Sequence, residues 1–355
     1  MIKCIKFNFE KKYIKDFLKL PQLIYTHDNN TETKEDVKKL LLEKHILSKY
    51  FKINKYLVYD DKKVVGRFII TTYENDMNCY IGLFEVYKNN KYAKIIFDKA
   101  KEFANENGYK KIIGPLYASF WIKYRLKINM FEENPYTGEP YNREYYLKFF
   151  EENGFKECNR YISNKYDEIE YNYENKRCNE RYKEFIKKGY EIKRIRKEEY
   201  EIIIEQLYDI LTSLYKDFPM YKHIEKVDFI KLFKNYKYIL NFNMVKFAYY
   251  KGEMVGFFIN FPNYENKVYN LKSFKNFIDV LKTKRNTKEY IMMYMGVNPK
   301  HKGLGNVLTY KVLQEIKGKK ITSIGALIKK GKVTGAYLKD KIKEEYEYSL
   351  LEYKF

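Results

Sequence analysis

Cysteine is scarce in this sequence, with 4 in 355 residues, at positions 4, 79, 158 and 178. That is too few to frame a disulfide scaffold in a chain of this size, and the spacings match no metal-ligand pattern. Histidine is equally sparse, with 4 scattered residues, so a metal-free protein is expected. No stretch approaches the roughly 18 consecutive apolar residues of a membrane span. Met1-Ile-Lys-Cys4 does not open a secretory leader. A cytoplasmic location without membrane contact is the expectation. Acidic residues are also in deficit, at 47 against 69 Lys and Arg, for a formal net charge of +22. Such a charge attracts polyanions. The lysines are spread along the whole chain and share A/T-rich codons with the abundant Asn, Ile and Tyr. The excess therefore reads as a solvated basic surface, and a nucleic-acid partner is not expected.

What is present suffices for packed cores. Apolar residues make up 45% and aromatic residues 18% of the sequence, and the length suits two domains of roughly 150–180 residues. The N-terminal domain opens with strand Ile2–Phe7 and helix Lys11–Leu18. A strand-like Cys158–Lys165 gives way to a charged helical run, Asn175–Lys188. Glu191–Arg196 then reads as a second first strand, with a helix from Glu198 to Tyr215 that Phe218-Pro219 ends. The expected organisation is an N-terminal domain over 1–170, a helical linker over 171–189 and a C-terminal domain over 190–355.

The most informative stretch is Gly296-Val-Asn-Pro-Lys-His-Lys-Gly-Leu-Gly305. It follows the apolar run Tyr290–Met295 and precedes a helical pattern at Val307, Leu308, Val312, Leu313 and Ile316. Strand, glycine loop and helix N-terminus together offer unpaired backbone N–H groups to an anion. Pro299 cannot extend a strand ladder, while Gly303 and Gly305 let a ligand approach the backbone. Lys300, His301 and Lys302 add side-chain donors. The stretch reads as a diphosphate cradle. It is not a P-loop, because the nearest candidate, Gly331-Lys332-Val333, has Ala326 where the first glycine belongs and no Ser or Thr after the lysine. It is not a dinucleotide fingerprint either, because Leu308 stands where the third glycine is required.

The chain also reads twice. Tyr59–Ile69 mirrors Tyr249–Ile259, each a hairpin closing into Val-Gly-x-Phe-Ile. Tyr80–Val86 parallels Tyr290–Val297, and the second copy carries one extra residue, as a β-bulge requires. A helix follows each strand, over 91–106 and 304–316, and then a second strand, Lys111–Leu116 and Ile321–Ile328. The first copy continues as Tyr87-Lys-Asn-Asn-Lys-Tyr-Ala-Lys94, with no glycine.

Val297-Asn-Pro-Lys-His-Lys-Gly-Leu-Gly305 resembles motif A of the GNAT superfamily, the acyl-CoA-dependent N-acyltransferases. It departs from the pattern at Lys300, where Gln or Arg is usual, and at His301, where Gly is frequent. The resemblance implies an α/β fold of α+β mixed-sheet type. Two tandem GNAT-like domains are expected, each a twisted sheet flanked by helices with a bulged central strand. The N-terminal half, including Gly114-Pro115 and Glu139-Pro-Tyr-Asn142, looks like a domain of bacterial GNAT-type proteins and is expected to lack the cofactor site.

The implied reaction is direct transfer of an acyl group, acetyl first, from acyl-CoA to a small-molecule or peptide amine, without a metal. Backbone groups over His301, Lys302, Gly303, Leu304, Gly305 and Asn306 would hold the diphosphate, with Lys300 beside them. The N–H of Met295 or Val297, freed by the bulge, would hold the pantetheine arm or the thioester oxygen. Tyr337, on a helix in Thr334–Lys339, is the candidate general acid. Tyr294 fills the slot where relatives often carry a Glu base, although a phenol titrating near 10 is a poor base. The aromatic and acidic segment Tyr117–Tyr146, with Trp121, Phe131, Glu132, Glu133, Tyr136, Glu139 and Tyr141, reads as a surface excursion suited to a cationic acceptor. Two other functions fit the same residues: a Fem-type transferase using aminoacyl-tRNA, and a non-catalytic module that senses acyl-CoA.

Overall fold

The computed structural model describes every residue except His27, Asp28, Asp217, Pro219, Val333, Thr334 and Ala336. The chain divides into two compact units, residues 1–160 with 347–355, and residues 161–346.

Unit 1 begins with β1 (Ile2–Phe7), α1 (Lys11–Ile24), α2 (Lys34–Leu41), β2 (Lys52–Asp60), β3 (Lys63–Thr72) and β4 (Asn78–Val86). Then come α3 (Asn90–Glu106), β5 (Lys111–Gly114), β6 (Leu126–Lys127), α4 (Tyr146–Glu152) and the start of β7 (Lys156–Tyr166). Its sheet runs β1-β2-β3-β4-β5. The chain's last residues, Leu351–Lys354, lie antiparallel to β5 on its other side. Buried Ala93, Ile96, Phe97, Ala100 and Ala104 recur at helical spacing on α3 and pack with Phe84, Phe150 and Leu351.

Unit 2 takes the rest of β7 and adds α5 (Lys176–Lys187), β8 (Tyr190–Lys193), α6 (Tyr200–Tyr215) and α7 (Lys226–Phe233). It continues through β9 (Lys246–Tyr250), β10 (Glu253–Pro262), α8 (Phe274–Arg285), β11 (Glu289–Val297), α9 (Leu304–Ile316), β12 (Thr322–Lys329) and the start of β13 (Ile342–Lys354). The sheet order is β7-β12-β11-β10-β9-β8. Among the described pairings β11–β12 is parallel, as β4–β5 is in unit 1. Buried Leu304, Val307, Leu308, Val312, Leu313 and Ile316 press α9 onto Val255, Phe258 and Tyr290. Pro219, read as the stop after α6, lies outside the described residues.

The duplication is present strand by strand. Both hairpins close on two-residue turns, at Asp60↔Lys63 and Tyr250↔Glu253. Gly66 faces Val86 as Gly256 faces Val297. The bulge read for the second copy alone occurs in both. In unit 2, Ile259↔Tyr294 is followed by Asn260↔Met292, leaving Met293 without a counterpart. In unit 1, Arg67↔Glu85 is followed by Ile69↔Gly82, and Leu83 carries a positive φ of 44°.

The expected boundary near 170 falls instead between Arg160 and Tyr161, and the last nine residues belong to unit 1. The reason is ladder pairing. Residues 161–166 bond to β12, while Leu351–Lys354 bond to β5, so strand partners and not sequence order decide membership. The expected linker helix is α5, a packed element of unit 2. Leu351 is 1% exposed in the unit 1 core. Leu351→Ala is expected to lower the stability of unit 1 by about 2–4 kcal/mol. Urea unfolding followed by aromatic fluorescence measures this, and a loss below about 0.5 kcal/mol would show the strand to be dispensable.

Candidate functional site

The glycine loop leaves β11 at Val297. Asn298 donates its N–H to the Val255 carbonyl at 2.9 Å, and its side chain accepts from the Lys300 N–H at 3.1 Å, turning the chain into a short 3-10 turn over Pro299–His301. Gly303 then adopts φ 97° and begins α9 with no side-chain cap, a left-handed conformation that glycine takes without a steric penalty. The N–H groups of Leu304 and Gly305 lie before the first intrahelical acceptor, at the positive end of the helix dipole, while the Asn306 N–H donates to the Gly303 carbonyl at 3.1 Å. The counterpart helix in unit 1 differs. The Asn89 side chain accepts from the Lys91 N–H at 2.9 Å and caps α3 itself.

Beside the loop the sheet opens. The parallel ladder between β11 and β12 ends at Met292↔Gly325. Beyond it β11 stays with β10 through Met295↔Phe258 and Val297↔Gly256, while β12 turns to β7, with the Leu327 N–H bonded to Ser163 Oγ at 2.9 Å and Ile328 opposite Ile162. In unit 1 the Leu116 N–H reaches the Ile81 carbonyl at 2.8 Å. The Leu116 carbonyl carbon comes within 2.5 Å of where a side chain on Gly82 would begin. That gap is filled by the chain itself.

The structure gathers Lys300, His301, Lys302, Gly303, Leu304, Gly305 and Asn306 into this loop, with Met295 and Val297 on the strand leading to it. Several roles shift. Met295 and Val297 stay opposite Phe258 and Gly256 of β10, beyond the end of the β12 ladder, and Met293 is the residue the bulge leaves without a counterpart. His301 does not offer its ring outward. Its Nδ1 meets the Tyr190 hydroxyl at 2.6 Å, with the Tyr190 and Tyr250 rings 5.5 and 5.7 Å away. Lys300 and Lys302 are exposed. Tyr294, 37% exposed, pairs with Ile259 beside the bulge.

Tyr337 stands in a turn, followed by a 3-10 turn over Lys339–Lys341, and not on an α-helix. Thr334 and Ala336 of the expected helix lie outside the described residues. The Tyr337 hydroxyl rests against Gly305, in the space that a side chain there would take, with its Cζ 3.1 Å from that point. The Tyr337 carbonyl accepts from Asn175 Nδ2 at 2.9 Å. Burial raises its pKa, so the phenol stays protonated at neutral pH. This position meets the loop at the second residue of α9.

Sequence reasoning found the helix α5 but missed its place in the site. It packs across the start of α9, with Arg181 Nε and Phe185 both 3.6 Å from the side-chain position of Gly303, and Cys178 Sγ 3.8 Å from Asn306 Oδ1. Burial pushes the Cys178 thiol up to about 11, against the lowering effect of Arg177, so it is no nucleophile at neutral pH. Leu304, Gly305 and Asn306 are buried as a result. The amphipathic charge pattern of 175–188 signalled a helix, but nothing in it named the partner.

The excursion 117–146 is largely interior. Tyr136, Glu139 and Tyr141 are buried. Glu139 pairs with Lys127 at 2.9 Å, with both side chains wholly buried, and accepts from the Tyr348 hydroxyl at 2.6 Å. Trp121 is half-buried against Phe120. A second buried network surrounds Glu85, which accepts from the Tyr146 hydroxyl at 2.7 Å. Arg67, wholly buried, bonds to the Phe17 carbonyl at 2.8 Å and to Glu32. Burial pushes the Glu85 carboxyl up to about 7, with Arg67 opposing the rise. By register Arg67↔Glu85 in unit 1 stands where Phe257↔Gly296 stands in unit 2. Among the described residues, no group of three or more His, Cys, Asp or Glu is arranged to hold a metal, and no helix is long and apolar enough to cross a membrane.

No protein-family model and no curated protein matches the sequence. Solved structures do match its fold. A tandem GNAT protein from the clavulanic acid biosynthesis pathway aligns over 100% of this chain and 98% of its own, at TM-score 0.53 and 9% identity. A GCN5-related glucosamine N-acetyltransferase region of a fungal multi-domain GH3 β-N-acetylglucosaminidase aligns over 99% of this chain at TM-score 0.53 and 14% identity, and the match spans 38% of that longer protein. A GCN5-related N-acetyltransferase from Kribbella flavida aligns over 99% of this chain and 72% of its own, at TM-score 0.50 and 7% identity. The fold is that of tandem GNAT acetyltransferases.

Two outcomes are expected from this geometry. Gly305→Val drives a side chain into Tyr337 and should cost about 1–3 kcal/mol. Combining it with Tyr337→Ala should return part of that loss, and additive losses in the double-mutant cycle would show that the two positions do not touch. The raised Glu85 pKa means that the folded chain holds a proton that the unfolded chain has released between pH 4.5 and about 7. Its contribution is present below that window and is lost as pH rises through it. Glu85→Gln should flatten this part of the stability–pH curve, and an unchanged slope would remove Glu85 as its source.

Proposed function

We propose that this chain, which has the tandem GNAT acetyltransferase fold, transfers an acyl group from acyl-CoA to an amine through unit 2. The observation that carries the reading is the uncapped start of α9 behind left-handed Gly303, placed where β11 parts from β12. These residues suit a diphosphate: backbone donors at two glycines that carry no Cβ, and exposed Lys300 and Lys302 alongside. Bound acyl-CoA supplies an activated thioester carbonyl to the attacking amine. The N–H groups of Gly303, Leu304 and Gly305 anchor and orient it. Tyr337, protonated at neutral pH and seated on Gly305, is a side-chain donor beside the loop. From that seat its hydroxyl would meet a bound diphosphate, and it would have to move toward the thioester to protonate a leaving thiolate. Tyr294 is assigned no base function, since a phenol is ordinarily a poor base at neutral pH. The acceptor is a small-molecule or peptide amine.

A second reading is supported by the packing of α5 and Tyr337 on the loop: acyl-CoA is bound as a signal, with no turnover. Transfer from aminoacyl-tRNA draws only on the net positive charge, which is not confined to one surface.

Calorimetry with acetyl-CoA, free CoA and tRNA, repeated on Gly303→Val, separates the three. Acetyl-CoA binding that weakens tenfold or more in Gly303→Val, with turnover on an amine panel, is the expected result. Binding without turnover selects the sensing module, and tRNA binding without CoA binding selects the third. Tyr337→Phe assigns the hydroxyl. A weaker CoA affinity at constant kcat places it on the diphosphate, a lower kcat at constant affinity makes it the acid, and no change in either removes it.

A further inference from the structure

At the far end of α9, roughly 20 Å from the glycine loop for a helix of this length, unit 2 contains a cavity of about 290 Å³. It opens where α8 and α9 end and where β11 and β12 begin. Four cationic side chains line it: Lys284, Arg285, Lys288 and Lys319. Asn241, Asn243, Thr287 and Tyr290 add amides and hydroxyls.

The carboxylates nearby are already engaged. Glu315, the acid in the lining, accepts from the buried Lys246 ammonium at 2.7 Å. Glu289 accepts from Asn263 at 2.7 Å and from Thr322 at 3.0 Å. Among the described residues, none of the four cations has a carboxylate partner. Lys284 donates to the Tyr238 carbonyl at 2.6 Å. Its pKa is lowered by burial and then by Lys197, the direction that an anion in the cavity would reverse.

Basic residues also complement the negative ends of α8 and α9. That interaction accounts for a cation in each last turn. It does not account for four cations converging on one concave, amide-lined space with the local acids neutralised. We propose that this cavity binds a small phosphate-bearing ligand, at a site separate from the glycine loop. The volume lies at the small end of ligand pockets, which suits one or two phosphate groups with a compact body. Guanidinium and ammonium groups around a polar rim are the donors that phosphate oxygens take.

The test is titration calorimetry of the whole chain with inorganic pyrophosphate at about 0.15 M salt. Wild type is compared with Arg285→Ala/Lys288→Ala, with Lys62→Ala/Lys91→Ala as a unit 1 control of equal charge loss, and with Gly303→Val. The expected result is affinity at least tenfold weaker in Arg285→Ala/Lys288→Ala and unchanged in the other two. Equal affinity in all variants, equal weakening in the control pair, or loss confined to Gly303→Val would overturn the proposal. The last outcome would place the phosphate in the glycine loop. A parallel titration with a short single-stranded RNA closes the remaining alternative. RNA that binds more tightly than pyrophosphate and loses affinity in the same double variant identifies a polyanion surface instead of a small-ligand site. The proposal does not depend on acyl transfer, and absence of CoA binding would leave it standing.

Discussion

The close approach of Tyr337 to Gly305 is the contact on which the site in unit 2 turns. It exists because position 305 lacks a Cβ, and it closes the first turn of α9 from one side as Arg181 and Phe185 do at Gly303. The helix start combines two properties that ordinarily exclude each other: it has no side-chain cap, and its first three residues are buried. Uncapped N–H groups withdrawn from water are costly unless an acceptor arrives. A phenol oxygen lies beside Gly305 and a guanidinium beside Gly303.

The two units show how one architecture is filled in two ways. Both carry a bulge in the strand before the helix, and both join that strand to the next in parallel. In unit 1 the opening is taken by the Leu116 backbone, and the helix is capped by Asn89. The ladder position occupied in unit 2 by Phe257 and Gly296 holds Arg67 and Glu85 in unit 1, both buried and bonded to interior partners. A buried charge of that kind is tolerated only when its partners are fixed around it. Unit 1 is therefore committed to its interior network, while unit 2 keeps backbone donors uncommitted at the start of α9.

Much of this was legible in the sequence. Two-residue hairpins, alternating strands and helical spacing are local properties, so the repeat at Tyr59–Ile69 and Tyr249–Ile259 appeared before any coordinates. Pro299, Gly303 and Gly305 fixed the strand end and the loop through backbone restrictions that act within a few residues. Tertiary structure decided what those restrictions could not reach. It assigned Leu351–Lys354 to unit 1 and residues 161–166 to unit 2, because strand pairing depends on edges made by distant segments. It turned His301 onto Tyr190, drew Glu139 inward to Tyr348, and laid α5 over α9, since each contact joins residues far apart in the chain. The sequence by itself determined where the strand ends and the glycine loop leads into a helix. Only the packed structure decided which side chains stand over that place.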